Sequence, residues 1–256
     1  MLCSQVEVVS IAKLFAKRVL QKALGFHRYL VLHSLFVAVT LRLRRGEGAI
    51  LRFIEQLAPN ATVLDVGANV GTMTLLFARH CSRGRVFAFE PIPENLAATR
   101  TIVRLFGLHN VAVYPCGLGE RDETVTMIMP SEQGVRLEGL SHVAEAASAE
   151  HGTRYDIDLR RLDGMAPFDD VRVDAIKLDV EDHERFVLMG AEQIIARDRP
   201  LIYAELWSSE NRTACFALLA RHGYRAFGVD RRRAFVPFDQ FSTPPENVFF
   251  VPSTPP

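Results

Sequence analysis

The stretch that decides the fold is V-L-D-V-G-A-N-V-G-T, residues 63–72. The apolar, β-branched run over residues 61–66 is typical of a buried strand, and residues 72–80 continue as a helix. Gly67 allows the chain to leave the strand in a tight turn, because a residue without Cβ avoids the steric clash. Gly71 lets the backbone of the following helix come close to a ligand. The stretch therefore predicts a strand–turn–helix unit with a binding site at its turn.

Strands alternate with helices over the rest of the chain. Strands are predicted at 61–66, 85–90, 111–114, 124–129, 155–159, 173–180, 200–206, 224–229 and 247–251, and helices at 72–80, 93–105, 184–196 and 211–222. This alternation predicts an α/β, Rossmann-like fold with a mainly parallel seven-stranded sheet and helices on both faces. Ligands of such sheets bind beyond the carboxyl ends of the strands. Residues 130–151 have weak periodicity and are predicted as a loop over that edge, with a short helix.

Residues 10–57 have a helical pattern and are predicted as two or three helices broken near Gly25 and at 46–48. We therefore divide the chain into an N-terminal helical segment, 1–57, and a Rossmann-like domain, 58–256. The apolar stretch over 29–43 is shorter than the roughly 20 residues of a spanning helix. It also lies too far from the start for a typical signal peptide.

Two interpretations of the apolar stretch stay open. It is either a helix buried against the domain or a helix that lies on a membrane surface. Basic residues on both sides of it would suit anionic lipids; they are Lys13, Lys17, Arg18, Lys22, Arg28, Arg42, Arg44 and Arg45. We expect a cytoplasmic protein, membrane-associated under the second interpretation. The sequence does not indicate an oligomeric state.

Charge and cysteine content exclude some partners. The formal net charge is zero, which gives no support to nucleic acid as the main partner, because neutralising phosphates needs a basic face. The cysteines Cys3, Cys81, Cys116 and Cys215 are scattered without a C-x-x-C pair. Neither a zinc site nor a disulfide framework is indicated, and free thiols are expected.

The turn suits a nucleoside that lacks a pyrophosphate. The dinucleotide fingerprint G-x-G-x-x-G is broken by Ala68 and Asn69, and no Gly-Lys-Ser/Thr follows to make a P-loop. Asp65 ends the first strand and can accept hydrogen bonds from an ammonium or a ribose, and Asn69 offers a donor and an acceptor. Glu90 closes the second strand, where an acidic residue can hold both ribose hydroxyls.

Four segments carry a resemblance to a known family. They are VLDVGANVGTMTLLFA at 63–78, FAFEPIPENLAATR at 87–100, VDAIKLDVEDHERFVLMGAEQII at 173–195 and RPLIYAELW at 199–207. The chain resembles the FkbM-type methyltransferases, within the S-adenosylmethionine-dependent Rossmann-like class, from about residue 63 to 228. The Gly turn marks the superfamily, and the I-K-x-D-V-E block narrows it to the family. One departure is Asp182, where the family usually has Gly. It adds a carboxylate and removes φ freedom at the mouth of the site.

The resemblance implies S-adenosylmethionine as cofactor and O-methylation of a hydroxyl on a sugar, a polyketide, a glycolipid or another small molecule. The residues implied in cofactor binding are Asp65, Gly67, Ala68, Asn69, Gly71, Thr72, Glu90, Pro91, Cys116 and Gly117. Cys116 and Gly117, after the third strand, would flank the adenine. Because the family's substrates vary widely, the resemblance indicates the reaction class and leaves the acceptor open.

Several residues are candidates for the chemistry of methyl transfer, in which a base near the attacking hydroxyl helps. Asp179 and Glu181 share a face if their strand continues that far, and Lys177 has the parity to pair with Asp179. Glu205 lies in an apolar strand, where an unpaired charge is expensive. These carboxylates either supply a base, or two of them hold a divalent cation, or they form a structural ion-pair network. His142, on the predicted loop, and His183 are further candidates for the base.

Two other functions are weighed against methyl transfer. An NAD-dependent oxidoreductase is disfavoured by the broken dinucleotide fingerprint. A methyltransferase-like protein that binds its ligand without turnover stays open because of Asp182. A nucleophilic Pro-Cys pair is expected after the fourth strand of this fold. Pro115–Cys116 follows the third strand, so we expect Cys116 to pack in the interior and not to act as a nucleophile.

Overall fold

The computed structural model describes residues 11–43, 48–132, 134–144 and 151–253. Its helices are α1 (Ile11–Leu24), α2 (Phe26–Leu43), α3 (Ala49–Ile54), α4 (Thr72–His80), α5 (Pro93–Leu105), α6 (Glu184–Met189), α7 (Glu192–Asp198) and α8 (Ser209–Arg221), with short 3-10 helices η1 (Glu138–Leu140) and η2 (Phe238–Gln240). Its strands are β1 (Thr62–Val66), β2 (Arg85–Phe89), β3 (Val111–Tyr114), β4 (Gly117–Leu118), β5 (Glu123–Glu132), β6 (Val135–Arg136), β7 (His142–Val143), β8 (Gly152–Arg160), β9 (Ala175–Leu178), β10 (Leu201–Glu205), β11 (Tyr224–Val229), β12 (Phe235–Pro237) and β13 (Asn247–Pro252).

The central sheet has the order β12-β11-β13-β10-β9-β1-β2-β3. The five strands from β10 to β3 are parallel, and β13, β11 and β12 are joined to them by antiparallel pairing. The Rossmann-like α/β fold is thus confirmed. The predicted number of seven strands is wrong, because the segment after β11 turns back and pairs as an eighth strand, with Val229 opposite Phe235.

A second sheet stands beside the central one, in the order β4-β8-β5-β6, with β7 on the flank of β5. Its main feature is a long antiparallel pair whose register runs from Glu123 opposite Leu159 to Pro130 opposite Gly152. The strands predicted at 124–129 and 155–159 are confirmed and extend further. Part of the predicted loop over 130–151 forms β6, η1 and β7, while residues 133 and 145–150 of that prediction lie outside the described residues.

The helix predicted over 184–196 is wrong as a single element, because it is two helices, α6 and α7, broken at Gly190. A Cβ on Gly190 would lie 2.0 Å from the carbonyl oxygen of Gly119, so the chain must bend where these two backbones meet. Asp163 fixes the start of α7: its carboxylate accepts hydrogen bonds from the backbone N–H groups of Gln193 and Ile194, at 2.9 and 3.1 Å. A carboxylate at a helix N-terminus satisfies free N–H groups and favours the helix dipole.

The N-terminal segment covers one face of the domain. One side of α2, with Leu30, Ser34 and Ala38, is buried, and the Ser34 hydroxyl accepts a hydrogen bond from the Thr72 hydroxyl at 3.1 Å. Phe53 of α3 is fully buried in the core beneath the sheet. The segment boundary predicted at residue 57 therefore falls inside one continuous core. Among the described residues, no helix is long and apolar enough to cross a membrane.

We predict that Phe53→Ala lowers the free energy of unfolding by about 3–5 kcal/mol, because removing a buried aromatic ring leaves a cavity. The Phe53 ring lies 5.9, 5.4 and 6.3 Å, centroid to centroid, from the rings of Phe77, Tyr203 and Phe249. Urea unfolding followed by circular dichroism measures the change. Leu105→Ala, at a position 62% exposed on α5, is the control and should stay within about 0.5 kcal/mol of the parent. An equal loss in both variants would contradict the packing of α3 into this core.

Candidate functional site

The turn after β1 is held in a left-handed backbone conformation. Gly67, Asn69 and Gly71 have φ values of 78, 50 and 79°. A Cβ on Gly67 would lie 1.9 Å from the carbonyl oxygen of Asp179, and one on Gly71 would lie 3.0 Å from Cα of Thr99. The first glycine thus lets β1 and β9 end side by side, and the second lets α4 start against α5. Asn is among the few residues other than Gly that adopt this conformation readily.

Lys177 is buried directly beneath the turn. Its Nζ donates to the carbonyl oxygen of Gly67 at 2.8 Å, and it lies 3.2 Å from Oδ2 of Asp179 and 3.6 Å from Oδ1 of Asp65. Burial acts to lower the pKa of Lys177, but the two carboxylates outweigh it and raise the pKa, so the amine keeps its charge. Asp65 also accepts a hydrogen bond from the Thr74 hydroxyl at 2.6 Å. This ion-pair network ties β1, β9 and α4 together at the edge where the strands end.

Glu90, at the end of β2, holds the other side of the turn. Its two carboxylate oxygens accept hydrogen bonds from the backbone N–H groups of Asn69 and Ile92, at 2.8 and 2.9 Å. Burial raises the pKa of Glu90 to about 7, against the effect of these hydrogen bonds. The residue therefore both fixes the turn and presents a buried carboxyl group at the strand edge.

A pocket with about 680 Å³ of empty volume opens at this edge. Four side-chain atoms of its lining residues are buried without a hydrogen-bond partner: Oδ1 of Asn69, Oδ1 of Asn95, Oε2 of Glu138 and Nε2 of His183. Buried polar atoms are nearly always hydrogen-bonded in native proteins, so their concentration around one pocket indicates a polar ligand. Because a nucleoside offers donors and acceptors to such atoms and an apolar face to the rest of the wall, the residues present fit S-adenosylmethionine.

The residues predicted to bind the cofactor divide into two groups. Those that line the pocket are Gly67, Asn69, Glu90, Pro91 and Gly117. Those that support it from outside are Asp65, Ala68, Gly71, Thr72 and Cys116. Asp65 is fully buried in the Lys177 network, and Cys116 borders a separate cavity. The residues of the second group position the turn and α4, and they contribute no surface to the pocket wall.

The candidate catalytic carboxylates also fall into two groups, those that line the pocket and one that does not. Asp179 and Glu181 both line the pocket, but β9 ends at Leu178, so strand alternation does not place them there. The chain turns instead, with φ values of 51° at Glu181 and 67° at Asp182. This left-handed conformation explains why Gly suits position 182; Asp tolerates it better than most residues. Oδ1 of Asp182 accepts a hydrogen bond from the backbone N–H of Ser208 at 3.2 Å, which holds the turn against the end of β10.

Several carboxyl groups near the pocket have pKa values close to neutral. Burial, followed by the charge of Asp179, raises the pKa of Glu181 to about 8. The same two causes raise the pKa of Glu205 to about 7, and Lys177 opposes them. Burial raises the pKa of Glu184 to about 7 despite its hydrogen bond to Val180. Glu205 therefore belongs to the electrostatic cluster around Asp179 and Lys177, although it does not line the pocket.

An outer groove adjoins the pocket. It is lined by Glu120, Arg121, Glu123, Val125, His142, Val143, Ala144, Glu181, Asp182, His183, Arg185, Phe186 and Trp207. Glu181, His183 and Val143 border both spaces, so they stand where the two meet. His142 borders only the groove, and its Nδ1 lies 3.0 Å from the carbonyl oxygen of Leu140. Burial lowers the pKa of His183 to about 4, so its ring is neutral at physiological pH.

Sequence reasoning missed the part of the pocket wall that comes from the second sheet and the η1 turn. The missed lining residues include Ile92, Asn95, Met127, Glu138, Gly139, Ser141 and Leu159. Ile92 and Asn95 both lie in the segment 87–100 that carries the family resemblance, and the buried position of Asn95 on α5 was a usable signal. The others lack a local motif, because strand pairing brings them to the pocket from elsewhere in the chain. Within the described ranges, no group of three or more His, Cys, Asp and Glu residues is arranged to hold a metal ion.

The raised carboxyl pKa values predict how the stability of the ligand-free protein depends on pH. Glu90, Glu184 and Glu205 reach about 7 and Glu181 about 8, from 4.5. A folded-state pKa above the unfolded value means that the folded form binds the proton more tightly, so its stability is lost as pH rises. Thermal unfolding should therefore occur at progressively lower temperature from pH about 6.5 to about 8, a window above the opposing titration of His183.

Glu181→Gln should flatten that slope, because it removes the group with the highest of these pKa values. Glu132→Gln, on an exposed carboxyl at the end of β5, is the matched control and should leave the slope unchanged. Differential scanning calorimetry across the window gives the comparison. A parent protein whose unfolding temperature rises over the same window would refute the assignment.

Comparison with known proteins agrees with this geometry. The family model for the methyltransferase FkbM domain matches residues 65–226. Methyltransferase sdnD of Sordaria araneosa is 27% identical over 215 residues, covering 74% of this chain and 82% of that protein. Methyltransferase 1 of Beauveria bassiana is 26% identical over 144 residues, covering 51% and 58%.

The crystal structure of methyltransferase FkbM from Methylobacillus flagellatus has the same fold, with a TM-score of 0.52 and 18% identity over 76% of this chain and 44% of that one. The chain thus spans 58% of the Beauveria relative's length and less than half of the solved chain. The family model, by contrast, covers well over half of this chain. The protein therefore belongs to the FkbM methyltransferase domain family, a family of S-adenosylmethionine-dependent methyltransferases.

Proposed function

We propose that this protein transfers a methyl group from S-adenosylmethionine to a hydroxyl oxygen of a sugar, a glycolipid or another small molecule, with Glu181 as the general base. The observation that carries the proposal is the place of Glu181, which borders both the inner pocket and the outer groove. A group there can reach an atom that lies between a cofactor in the pocket and an acceptor in the groove. A general base must stand at that junction to act on the attacking oxygen.

When bound, S-adenosylmethionine supplies a methyl group on a positively charged sulfur, which an SN2 displacement transfers to a nucleophile. The chain's task is then to align the acceptor and to remove its proton. Glu181 takes the hydroxyl proton onto its carboxylate as the new carbon–oxygen bond forms. Its pKa of about 8 suits this role, because a base is most effective when its pKa lies near the working pH. Asp179, which lines the pocket and is paired with Lys177, would contribute negative charge toward a positively charged cofactor bound there.

The groove has the composition of an acceptor site for a polar molecule with some apolar faces. Trp207, which is 44% exposed, and Phe186 both line the groove. Arg185 stacks over the Phe186 ring at 4.6 Å from the centroid and donates to Glu210 at 2.7 Å. Aromatic surface with a polar rim is typical of sites that bind small molecules in one orientation. This composition supports a glycosyl or other hydroxyl-bearing acceptor.

We predict that two substitutions separate cofactor binding from chemistry. Glu90→Ala should weaken binding of S-adenosylhomocysteine at least tenfold, because it removes the acceptors for the backbone N–H groups of Asn69 and Ile92. Glu181→Gln should keep that affinity within about twofold and lower turnover by about 100-fold or more, as loss of a general base does. Calorimetric titration gives the affinity, with NADH as the control ligand. Release of S-adenosylhomocysteine on addition of pooled glycosides, glycolipids and polyketide alcohols gives turnover.

The outcomes discriminate among the three functions. Binding of NADH alone would reject methyl transfer in favour of a nicotinamide-dependent reaction. Binding of S-adenosylhomocysteine without turnover on any acceptor pool would favour a methyltransferase-like binding protein. Unchanged turnover in Glu181→Gln would remove Glu181 from the chemistry; His183→Gln is then the next variant, because His183 borders the same junction.

A further inference from the structure

An apolar stripe runs along the outer side of α2. It consists of Leu32, Phe36, Val39 and Leu43, whose side chains are 51, 70, 54 and 78% exposed. At 3.6 residues per turn these four positions fall within roughly 60° of the helix circumference. The opposite side of the same helix is buried on the domain. We call these four residues the α2 stripe.

α1 adds a similar surface with positive charge. Phe15 and Val19 are one turn apart and 68 and 48% exposed. Arg18 and Lys22 are exposed on neighbouring positions of the same helix. The sequences of the two helices contain four basic residues in α1 and two in α2, and no Asp or Glu in either. The chain as a whole carries equal numbers of acidic and basic residues, so this helix pair is a local excess of positive charge.

Single exposed apolar side chains are ordinary, whereas a contiguous row of large ones on one helix indicates an interaction surface. We propose that α1 and the α2 stripe dock on an anionic membrane surface, with the apolar side chains inserted at the level of the lipid headgroups. Helices with an apolar face, flanking Lys and Arg and no acidic residue are suited to that interface. Each basic residue near an anionic surface strengthens binding about fivefold.

Cosedimentation of the whole chain with vesicles tests the docking. The parent should sediment with phosphatidylcholine vesicles that contain phosphatidylserine and much less with pure phosphatidylcholine. The pair Leu32→Ser and Phe36→Ser should lower the partition coefficient more than tenfold through loss of inserted apolar area. The pair Arg18→Gln and Lys22→Gln should lower it about 30-fold. Leu105→Ser, on an equally exposed apolar side chain of α5, is the matched control and should bind as the parent does.

Three results would overturn the proposal. Failure of the parent to sediment with either vesicle is one. A second is that Arg18→Gln with Lys22→Gln loses binding while Leu32→Ser with Phe36→Ser binds as the parent does. The contact would then be nonspecific electrostatic attraction without insertion of the stripe. A dimer in light scattering that Leu32→Ser and Phe36→Ser dissolve, without vesicle binding, would assign the stripe to a second copy of the chain. Thermal unfolding of each variant should match the parent, because the substituted side chains are exposed.

A second inference comes from the inner side of the same helices. Glu138, in η1, is 4% exposed and lines the pocket. Its Oε1 accepts a hydrogen bond from the Tyr29 hydroxyl at 3.2 Å and lies 3.5 Å from Nζ of Lys17 and 3.8 Å from Nε2 of His33. All three partners belong to α1 and α2. Its Oε2 is buried and has no hydrogen-bond partner. One oxygen is therefore fixed by the N-terminal segment, and the other is unsatisfied in a residue of the pocket wall.

A buried carboxylate oxygen without a partner is costly unless a ligand supplies one. Resting on the proposed function, we infer that Glu138 binds the α-ammonium group of the amino-acid end of S-adenosylmethionine. An ammonium is the ligand group that best satisfies a carboxylate, through a charge-assisted hydrogen bond. Gly139, the next residue, lies beside Asn69 of the turn: a Cβ on it would be 3.8 Å from Nδ2. Glu90 stands at the other side of that turn, where it is available to the ribose.

Two ligands distinguish the contributions that the two ends of the cofactor make to binding. S-adenosylhomocysteine carries the amino-acid end, and 5′-methylthioadenosine lacks it. In calorimetry, Glu138→Gln should weaken S-adenosylhomocysteine about tenfold or more, the loss of a charge-assisted hydrogen bond, and leave 5′-methylthioadenosine within twofold. Tyr29→Phe, which keeps the carboxylate and removes a donor that orients it, should show a smaller selective loss. Glu94→Gln is the control, because Glu94 holds the same turn region through Arg136 at 3.1 Å but does not line the pocket.

If Glu138→Gln loses the same affinity for both ligands, and Glu94→Gln does too, Glu138 is a structural residue. That result would overturn this inference and leave the proposed function standing. Unchanged affinity for S-adenosylhomocysteine would also overturn it. If the parent binds neither ligand, the proposed function itself fails and takes this inference with it. Should Glu138→Gln fail to fold, the selective loss in Tyr29→Phe decides the matter, and its absence counts against the inference.

Discussion

The site depends on one buried charge. Lys177 enters from β9 and carries its ammonium under the turn that follows β1, between the carboxylates of Asp65 and Asp179. A buried amine is tolerated only when opposite charges and hydrogen bonds replace its water. Here two carboxylates and the Gly67 carbonyl do so, and in return the amine fixes the direction in which that carbonyl points. The shape of the turn, the ends of two strands and the orientation of Asp179 thus follow from a single side chain.

That arrangement concentrates acidic groups at one edge of the sheet. Beyond Lys177, the carboxyl groups of Glu181, Glu184 and Glu205 crowd the same region, and burial together with mutual repulsion raises their pKa values. Such crowding lowers the stability of the ligand-free protein at neutral pH. It also makes the edge receptive to a positively charged ligand, because a cation relieves the repulsion. Functional sites commonly combine local instability with affinity in this way.

The N-terminal helices serve the domain on two sides. Their inner face completes the wall of the pocket by holding Glu138, although they lie outside the matched family domain. Their outer face leaves the α2 stripe and the basic residues of α1 exposed. The same two helices thus carry the surface proposed to meet the membrane and the side chains that orient Glu138.

Local signals in the sequence were enough for the parallel strands, the Gly turn, the pairing of Lys177 with Asp179 and the family. The first three depend on periodicity or on spacing within a few residues, and the family depends on the resemblance carried by four segments. Tertiary structure alone decided that Asp65 supports the turn from below, that β12 adds an eighth strand, and that Gly190 divides a helix where it meets Gly119. It also brought Glu138 to the pocket, across more than 100 residues from Tyr29. Periodicity records which face of an element is buried, whereas contacts between distant segments depend on how those faces pack, which no local pattern specifies.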